Sequence, residues 1–402
     1  MIMFHRCTEM SNRKRGGIDH PSILIGSINP YSYMGHSQRM FSIANYYAKC
    51  NLKVSWINSP SFLFPKNTQF VNSQNVSRHF RLPFLVTRDE VAKDIILSVY
   101  DSWALPKYDM IAASLFFTRI LQRIYMTVFS GFGKFDVFLF DSPIFADLAE
   151  KLKKVHGTLI IYDSPDDYSA YSEIGQSFKK LETKAVNAAN FIITPTQSVK
   201  TELLRRNKGK IDVRLIPNGV PGCEVAKSPK CRKQSAIPRI GFLGTLASWV
   251  DVNLIFNIAN RMPNCEFVIV GDGPYYNSWK QNSPSNCKFI GRVSIAKRGD
   301  LISSFDVGLI PFKLIPLAHS AFPLKLLEYF ARGVPVVSSP LTEVKNIASD
   351  YARFANSVET WVEQINKALT DAYGDKLSYI EFASKYTWEN TASLILNMIS
   401  GK

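Results

Sequence analysis

A lysine and a glutamate, Lys325 and Glu328, stand three residues apart in an otherwise apolar segment, PLKLLEYFARGVPVVSS. Pro323 suits the first position of a helix, because its missing N–H costs nothing there, and Gly333 suits the end of that helix. Residues three apart share one side of a helix. A lysine near a helix N-terminus suits a phosphate, and a glutamate one turn later could accept hydrogen bonds from a ribose diol. The segment therefore indicates a nucleotide-sugar site; the alternative is an ordinary surface ion pair.

Several loops in the same half of the chain follow strand-like apolar runs and could complete such a site. A glycine after a strand permits close approach of the backbone, and neighbouring N–H groups could bind a phosphate. Backbone groups further along could contact the edge of a base. The alternative for each loop is a plain turn. The candidates are Gly244 with Thr245, the turn 271–274, Arg292 with Val293, and His319 with Ser320 in the loop before Pro323.

A cluster of carboxylates in the first half, Asp163, Asp166 and Asp167, follows the predicted strand Thr158–Tyr162. A carboxylate placed there could act as a general base, and adjacent carboxylates raise one another's pKa, which suits that role. Asp163 and Asp166 are the preferred candidates, and a turn or helix-capping cluster is the alternative. His36 competes for the same role, although an isolated histidine more often serves structure.

Strands and helices alternate on both sides of these candidates, which predicts parallel α/β sheets. The predicted strands are Ile23–Gly26, Val54–Ile57, Val137–Phe140, Thr158–Tyr162, Phe191–Thr194, Val213–Ile216, Ile240–Leu243, Phe267–Val270, Lys288–Ile290, Val307–Ile310 and Val334–Ser338. Residues 60–130 are expected to hold a polar, loop-rich part and then two helical stretches. The tail from Ser357 to Ile399 is predicted to be helical.

A chain of 402 residues is too long for one ordinary core, which predicts two domains. Residues 1–19 are expected to form a disordered basic leader, 20–218 a first Rossmann-like domain, and 219–238 a linker rich in Lys, Pro and Ser. Residues 239–380 are expected to form a second Rossmann-like domain, followed by a C-terminal helix, 381–402, that crosses back to the first. Ligands of such folds bind at the carboxyl ends of the strands, here in a central cleft.

The chain is basic, with a net charge of +15, and residues 1–210 carry 27 Lys and Arg against 17 Asp and Glu. A basic half could face nucleic acid, an anionic membrane surface or an acidic substrate, or serve solubility alone. No nucleic-acid-binding module is recognisable, so nucleic acid is not expected as a partner. The six cysteines form no metal-binding pattern, and a reduced cytoplasmic setting is expected.

No apolar run reaches the ~20 residues of a membrane span, and no signal peptide is recognisable. The nearest case, Met110 to Phe129, is interrupted by Arg119, Gln122 and Arg123. Two arginines four residues apart in an aromatic-rich helix predict an interfacial helix, with a buried helix that has one polar edge as the alternative. An anionic membrane surface, at the inner face of the cell membrane, is therefore an expected partner.

The second half resembles the nucleotide-binding domain of the GT-B glycosyltransferases. The segments IGFLGTL, FVIVGDGP, FIGRV, DVGLIPF and PLKLLEYFARGVPVV follow one another in the order and spacing of that family, and TPTQSVKTELLRR with RLIPNGV is similar to the end of its N-terminal domain. Within that family, the chain resembles the subgroup of the teichuronic acid biosynthesis glycosyltransferase and the xanthan glucuronosyltransferase. The resemblance implies an α/β protein of the GT-B fold, with two doubly wound Rossmann-like domains facing a central cleft.

The resemblance also implies a role for each candidate residue. Glu328 would hold the ribose hydroxyls, and Lys325 would pair with the diphosphate of the donor. The remaining positions implied are Arg292 and Val293 beside the base, Gly35 in a loop of the first domain that approaches the donor phosphates, and His36 at the cleft. The expected reaction moves a sugar from a nucleoside diphosphate, UDP, to a saccharide or lipid-linked saccharide bound by the first domain, with no metal and no cofactor.

Two departures from the family pattern bear on this expectation. Many relatives have a glutamate eight positions before the second one, where this chain has Ser320, and a basic pair after the first strand, where it has Thr245 and Ser248-Trp249. Lys325, helped by His319, would then carry more of the charge on the diphosphate. A nucleotide-sugar epimerase of the same architecture and a non-catalytic nucleotide-sugar-binding relative remain alternatives.

Overall fold

The computed structural model describes residues 21–27, 39–58, 61–62, 86–92, 95–100, 103–104, 134–166, 176–228, 237–371 and 376–401. The chain divides into two compact units. The first unit comprises Met1–Thr194, Glu202–Leu215 and Ala392–Lys402, and the second comprises Pro195–Thr201 and Ile216–Thr391. None of the described helices is long and apolar enough to cross a membrane.

The first unit is built on an eight-stranded sheet with the order β10-β9-β8-β7-β1-β2-β5-β4, in which only β4 runs antiparallel to its neighbour. A separate parallel pair joins β3 to β6. The strands are β1 (Ile23–Ser27), β2 (Val54–Asn58), β3 (Ser61–Phe62), β4 (Val86–Ala92), β5 (Ile95–Tyr100), β6 (Trp103–Ala104), β7 (Val137–Phe140), β8 (Leu159–Asp163), β9 (Phe191–Thr194) and β10 (Val213–Leu215). The helices are α1 (Arg39–Lys49), α2 (Ala146–His156), α3 (Gln176–Ala188) and α4 (Gln197–Arg206), which begins in the second unit.

The second unit is built on six parallel strands in the order β13-β12-β11-β14-β15-β16. These strands are β11 (Arg239–Leu243), β12 (Glu266–Val270), β13 (Cys287–Gly291), β14 (Val307–Ile310), β15 (Val336–Ser338) and β16 (Arg353–Phe354). The helices are α5 (Val252–Arg261), α6 (Tyr276–Gln281), α7 (Ile295–Ile302), α8 (Pro316–Ser320), α9 (Leu324–Phe330), α10 (Thr342–Ala348), α11 (Val358–Asp371), α12 (Lys376–Ser384) and α13 (Trp388–Ile399), whose last part belongs to the first unit.

Both faces of the four central strands of the second sheet, β11, β12, β14 and β15, are covered, which is why these strands are almost continuously apolar. Phe267 and Ile269 point to one core, shared with helices α5 and α11, whereas Val268 and Val270 point to the other, shared with α9 and α12. Alternate residues of a strand face opposite sides, so one short apolar run serves two cores. The predicted α/β fold with two doubly wound domains is confirmed.

The sequence reading was wrong in the region 60–130 wherever the structure describes it. Strands β3 to β6 occupy positions that were expected to be loop or helix, and β4 with β5 forms an antiparallel edge to the parallel sheet. The polar composition of VTRDEVA hides β4, because an edge strand needs fewer apolar residues than a buried one. The two predicted helical stretches, including Arg119 and Arg123, lie outside the described residues.

The segment around Lys325 folds as predicted apart from one position at its start. Pro323 is the N-cap of α9 and not its first helical residue, with its carbonyl accepting from the Leu326 N–H. Gly333, at φ +70°, turns the chain after the helix and into β15. Glycine adopts that conformation without the steric cost that a side chain adds.

Helix α9 is joined to the sheet by the buried hydroxyl of Tyr329. The hydroxyl accepts a hydrogen bond of 2.9 Å from the N–H of Leu243, the last residue of β11, and donates one of 3.5 Å to the Leu309 carbonyl. Burial raises the pKa of this phenol well above its ordinary value, which keeps it neutral. Tyr329 therefore fixes the helix that carries Lys325 and Glu328 to the carboxyl ends of two central strands.

We predict that Tyr329→Phe lowers the free energy of unfolding of the second unit by about 1–3 kcal/mol, because it leaves the buried Leu243 N–H without its acceptor. Urea denaturation followed by circular dichroism measures the change. Tyr275→Phe is the matched control, since the Tyr275 side chain is exposed and its ring contact with Trp279 survives the loss of the hydroxyl. Equal stability of the two variants would contradict the role given to Tyr329.

Candidate functional site

The centre of the candidate site is an ion pair between Lys325 and Glu328 on helix α9. The Lys325 Nζ lies 2.8 Å from the Glu328 Oε2, and the carboxylate is buried, with 3% of its side chain exposed. The lysine is 27% exposed, so it is the member of the pair that solvent reaches. A surface ion pair, the alternative weighed from the sequence, does not describe a carboxylate this deeply buried.

A second cation, which the sequence analysis did not single out, also contacts Glu328. The Arg298 Nη1 on helix α7 lies 3.2 Å from the Glu328 Oε1, and the arginine is 13% exposed. The geometry is that of an ion pair and not of a hydrogen bond: Oε1 and the Arg298 Nε and Nη2 are buried without hydrogen-bond partners among the described residues. Glu328 is thus held between two positive charges, one internal and one partly exposed.

The loop after β11 brings Gly244 next to Lys325. A Cβ at Gly244 would lie 3.7 Å from the Lys325 Cε, so the lysine stem runs along this loop. Gly271, in the loop after β12, is at φ +133°, and a Cβ there would lie 1.8 Å from the Gly244 carbonyl oxygen. The two loops pack backbone against backbone, which only glycine at position 271 permits.

Backbone hydrogen bonds join the loops that follow β11, β12 and β13. The Gly244 N–H donates to the Val270 carbonyl, the Leu246 N–H to the Asp272 carbonyl, and the Gly271 N–H to the Gly291 carbonyl, each at 2.9 Å. The N–H groups of Gly244 and Leu246 are therefore already used. Thr245, between them, is exposed, and its N–H makes no hydrogen bond within the described part of the chain. Thr245 is the residue of this loop that could offer an N–H to a phosphate.

Arg292 and Val293, expected beside a base, differ in their surroundings. The Arg292 Nε pairs with the Asp272 Oδ2 at 3.0 Å, and both side chains are exposed, at 73% and 51%. Pairs this exposed contribute little to stability, so Arg292 can exchange its partner at small cost. Val293 is half-buried against the core beneath α9. Their proximity to a base stays a prediction.

His319 and Ser320 make local bonds. The His319 Nδ1 accepts from the Thr342 N–H at 3.3 Å and lies 3.0 Å from the Thr342 hydroxyl, at the start of helix α10. In the neutral tautomer that this acceptor role requires, Nε2 carries the proton, and it donates to none of the described residues. The Ser320 hydroxyl donates to the Leu317 carbonyl in its own helix, at 3.3 Å, and so brings no charge to the position where many relatives have glutamate.

In the first unit, the predicted base Asp163 stands at the end of β8 and is completely buried. Its Oδ2 lies 2.5 Å from the Nε of Arg39, the first residue of α1, and its Oδ1 is buried without a hydrogen-bond partner among the described residues. Burial raises the pKa of Asp163, and the Arg39 guanidinium opposes that rise. The pKa shift has the expected direction, but its main cause is burial and not repulsion between neighbouring carboxylates.

The other candidates in the first unit are less fully described. Asp166 is half-buried in the loop after β8, and Asp167 lies outside the described residues, as do Gly35 and His36. A further acidic group at the same sheet edge, Asp141, was missed from the sequence. Its Oδ2 accepts a 2.6 Å hydrogen bond from the Ser27 hydroxyl at the end of β1.

Two functional candidates that the sequence analysis missed, Arg298 and Arg39, could have been found from helical spacing. Arg298 precedes the buried Ile302 by four residues on α7, which places a charge on the apolar face of that helix. Arg39 precedes Ile43 on α1 in the same way. An arginine on a buried face needs a carboxylate partner, and the partner lies far away in sequence in both cases.

Among the described residues, no group of three or more His, Cys, Asp and Glu side chains is placed to hold a metal ion. A family model described as "Glycosyl transferases group 1" matches residues 237–371, about a third of the chain. The Bacillus subtilis glycosyltransferase TuaH, named for teichuronic acid biosynthesis, is 24% identical to this chain over 211 residues. That match covers 48% of this chain and 53% of TuaH, so the chain spans about half the length of this relative.

Solved structures of low sequence identity share the fold. The Anabaena protein HepE, solved in complex with UDP and glucose, aligns with a TM-score of 0.66 at 15% identity, over 95% of this chain and 100% of that one. The sucrose-phosphate synthase of Thermosynechococcus elongatus aligns with a TM-score of 0.70 at 13% identity, over 93% and 98%. The chain has the GT-B fold and resembles the GT-B glycosyltransferases, including the teichuronic acid subgroup.

We predict that Asp163 makes stability depend on pH. A carboxyl group whose pKa is higher in the folded state stabilises the fold at pH values below its ordinary pKa, which is 3.8 here. This contribution is lost as the pH rises through the folded-state pKa. The stability of the wild type relative to Asp163→Asn should therefore fall as pH rises above about 4, because the variant lacks this titration. Urea denaturation at several pH values measures the difference. A difference that grows with pH would contradict the assignment.

Proposed function

We propose that this protein is a glycosyltransferase that moves a sugar from a UDP-linked donor to a saccharide or lipid-linked saccharide in the synthesis of a cell-surface polysaccharide. The observation that carries the proposal is the position of Lys325 and Glu328. Lys325 lies beside the glycine loop that follows β11, and Glu328 is buried one turn later on the same helix. The carboxyl ends of parallel strands are where α/β folds bind nucleotides.

The donor nucleotide takes two of its contacts from helix α9. Lys325 moves from Glu328 to the diphosphate, and the carboxylate that it leaves accepts hydrogen bonds from the ribose hydroxyls. The exposed Thr245 N–H lies in the loop next to Lys325 and offers a further donor to a phosphate. The His319 Nε2–H is a third donor, which supports the part expected of it on the diphosphate.

The reaction is a displacement at the anomeric carbon of the donor sugar. The bond from that carbon to the diphosphate breaks, and a bond to the acceptor oxygen forms. Negative charge develops on the leaving diphosphate, and the positive charge of Lys325 together with the Thr245 N–H stabilises it there. In the proposed reaction, side-chain and backbone groups of the protein supply this stabilisation.

We assign the role of general base, which takes the proton from the acceptor hydroxyl group, to Asp166 and not to Asp163. Asp163 has no exposed surface and holds Arg39, so its role is to fix the start of α1. Asp166 is three residues further on and half-buried, which leaves part of its side chain within reach of a hydroxyl group. A general base needs that access as well as a suitable pKa.

The comparisons support the chemical class of the donor and acceptor. HepE is similar in fold and was solved with UDP, and TuaH is named for teichuronic acid biosynthesis. A cytoplasmic location at an anionic membrane surface belongs to the same proposal and stays a prediction, since the expected interfacial helix lies outside the described residues. Turnover with transfer to a saccharide distinguishes the proposal from an epimerase and from a non-catalytic binding protein.

We predict that Lys325→Ala weakens the binding of UDP about tenfold or more, because a charge-assisted contact with the diphosphate is lost. Isothermal titration calorimetry measures the affinity. Lys297→Ala is the matched control, since Lys297 is exposed on the neighbouring helix α7. Unchanged affinity in Lys325→Ala would remove Lys325 from the site.

We predict that Asp166→Asn lowers kcat about a hundredfold or more while UDP affinity stays as in the wild type, since a general base acts only in the chemical step. Release of UDP from a panel of UDP-sugars, with a saccharide acceptor present, measures turnover. Asp212→Asn is the control, because Asp212 forms an exposed ion pair with Arg214 in the same unit. Full activity of Asp166→Asn would show that another group takes the proton.

A further inference from the structure

Glu328 has two counter-ions, and they differ in exposure. Lys325 approaches its Oε2 and is 27% exposed, whereas Arg298 approaches its Oε1 and is 13% exposed. Lys325 lies on the same helix as Glu328, and Arg298 lies on α7, which follows β13. The three side chains together carry one net positive charge.

The proposed function gives Lys325 a second task, which conflicts with the first. A lysine that pairs with a diphosphate has to give up the 2.8 Å contact with Glu328. The carboxylate, with 3% of its side chain exposed, would then lack a counter-ion in a site that water hardly reaches. Removing one partner of a buried ion pair costs several kcal/mol, so a site with Lys325 alone would resist the exchange.

We propose that Arg298 is a positioning residue that acts as the permanent counter-ion of Glu328, so that Lys325 can leave the carboxylate for the diphosphate. The inference rests on the proposed function and deepens it. Arg298 keeps Glu328 charged and in place for the ribose hydroxyls in the bound state, when Lys325 is engaged elsewhere.

The surroundings of Arg298 suit a permanent partner and not an exchanging one. Its Nε and Nη2 are buried and make no hydrogen bonds with the described residues, so none of these residues offers the two atoms an acceptor that would draw the guanidinium group away from Glu328. The next residue, Gly299, leaves room for the Arg332 guanidinium, since a Cβ there would lie 2.2 Å from the Arg332 Nη2. Helix α7 is thereby packed closely against the end of α9, and the packing limits the movement of Arg298 away from Glu328.

A role of Arg298 in ribose recognition and a merely structural ion pair predict different effects on nucleotide affinity. If Arg298 acts through Glu328, the loss of Arg298 weakens the contact between Glu328 and the ribose hydroxyls. A nucleotide that lacks one of those hydroxyls depends less on Glu328 and should be less affected. A structural ion pair alone would lower the stability of the protein and leave the ratio of the two affinities as it is.

The test compares UDP with 2′-deoxy-UDP, titrated calorimetrically into the whole protein and into four variants. The variants are Arg298→Gln, Arg298→Lys, Glu328→Gln and the double variant Arg298→Gln with Glu328→Gln. Lys297→Gln is the control, because it removes a charge from the exposed side of the same helix. Circular dichroism and thermal unfolding establish that each variant is folded.

We expect Arg298→Gln to lose about tenfold in UDP affinity and less in 2′-deoxy-UDP affinity, since the lost hydrogen bonds are those to the ribose. Arg298→Lys should recover part of the loss, because it restores the charge. In the Glu328→Gln background, Arg298→Gln should cause no further loss, since the group it positions is already changed.

Three results would overturn the inference. If Arg298→Gln bound UDP and 2′-deoxy-UDP with the affinities of the wild type, and hence with the same ratio, Lys325 would need no second cation beside Glu328. If Arg298→Gln lowered the affinities for both nucleotides equally, and did so also in the Glu328→Gln background, Arg298 would act on the nucleotide by a route other than Glu328. If Arg298→Gln does not fold, the affinities of the double variant are used in its place, because the double variant leaves no unpaired buried charge. These affinities should match those of Glu328→Gln alone. A wild type that binds no nucleoside diphosphate would overturn the proposed function itself, and this inference with it.

Discussion

A carboxylate held away from water between two cations is the interaction on which the second unit's candidate site depends. Burying the charge of Glu328 costs free energy that its ion pairs with Lys325 and Arg298 must offset. Both cations have to be in place, and the fold supplies them from α7 and α9, which precede and follow β14 along the chain. The result is a site with a lysine that can change partners and an arginine that cannot.

The sheet and its loops provide the rigidity that this arrangement needs. Tyr329, which follows Glu328 on α9 and belongs to the core, ties α9 to the ends of β11 and β14 through a buried hydroxyl. The loops after β11, β12 and β13 are bonded to each other through their backbones, so Thr245 is held in a fixed position next to Lys325.

The sequence was sufficient for those parts of the fold that depend on local patterns. Apolar runs such as Val137–Phe140, Phe191–Thr194 and Val307–Ile310 are strands with the predicted bounds, because strands buried on both faces are continuously apolar. The edge strand β4 was missed because its polar residues resemble a loop. The pairing of Lys325 with Glu328 was predicted from their spacing on one helix, whereas Arg298 with Glu328 and Arg39 with Asp163 depend on the tertiary fold. No local pattern brings residues 30 or 124 positions apart together.

The most direct measurement is a crystal structure of the protein with UDP bound. The account predicts that the Lys325 Nζ lies within about 3 Å of a diphosphate oxygen, that Glu328 accepts hydrogen bonds from the ribose hydroxyls, and that Arg298 keeps its contact with Glu328. A nucleotide bound elsewhere, or a Lys325 that still pairs with Glu328 while the diphosphate binds other groups, would contradict it.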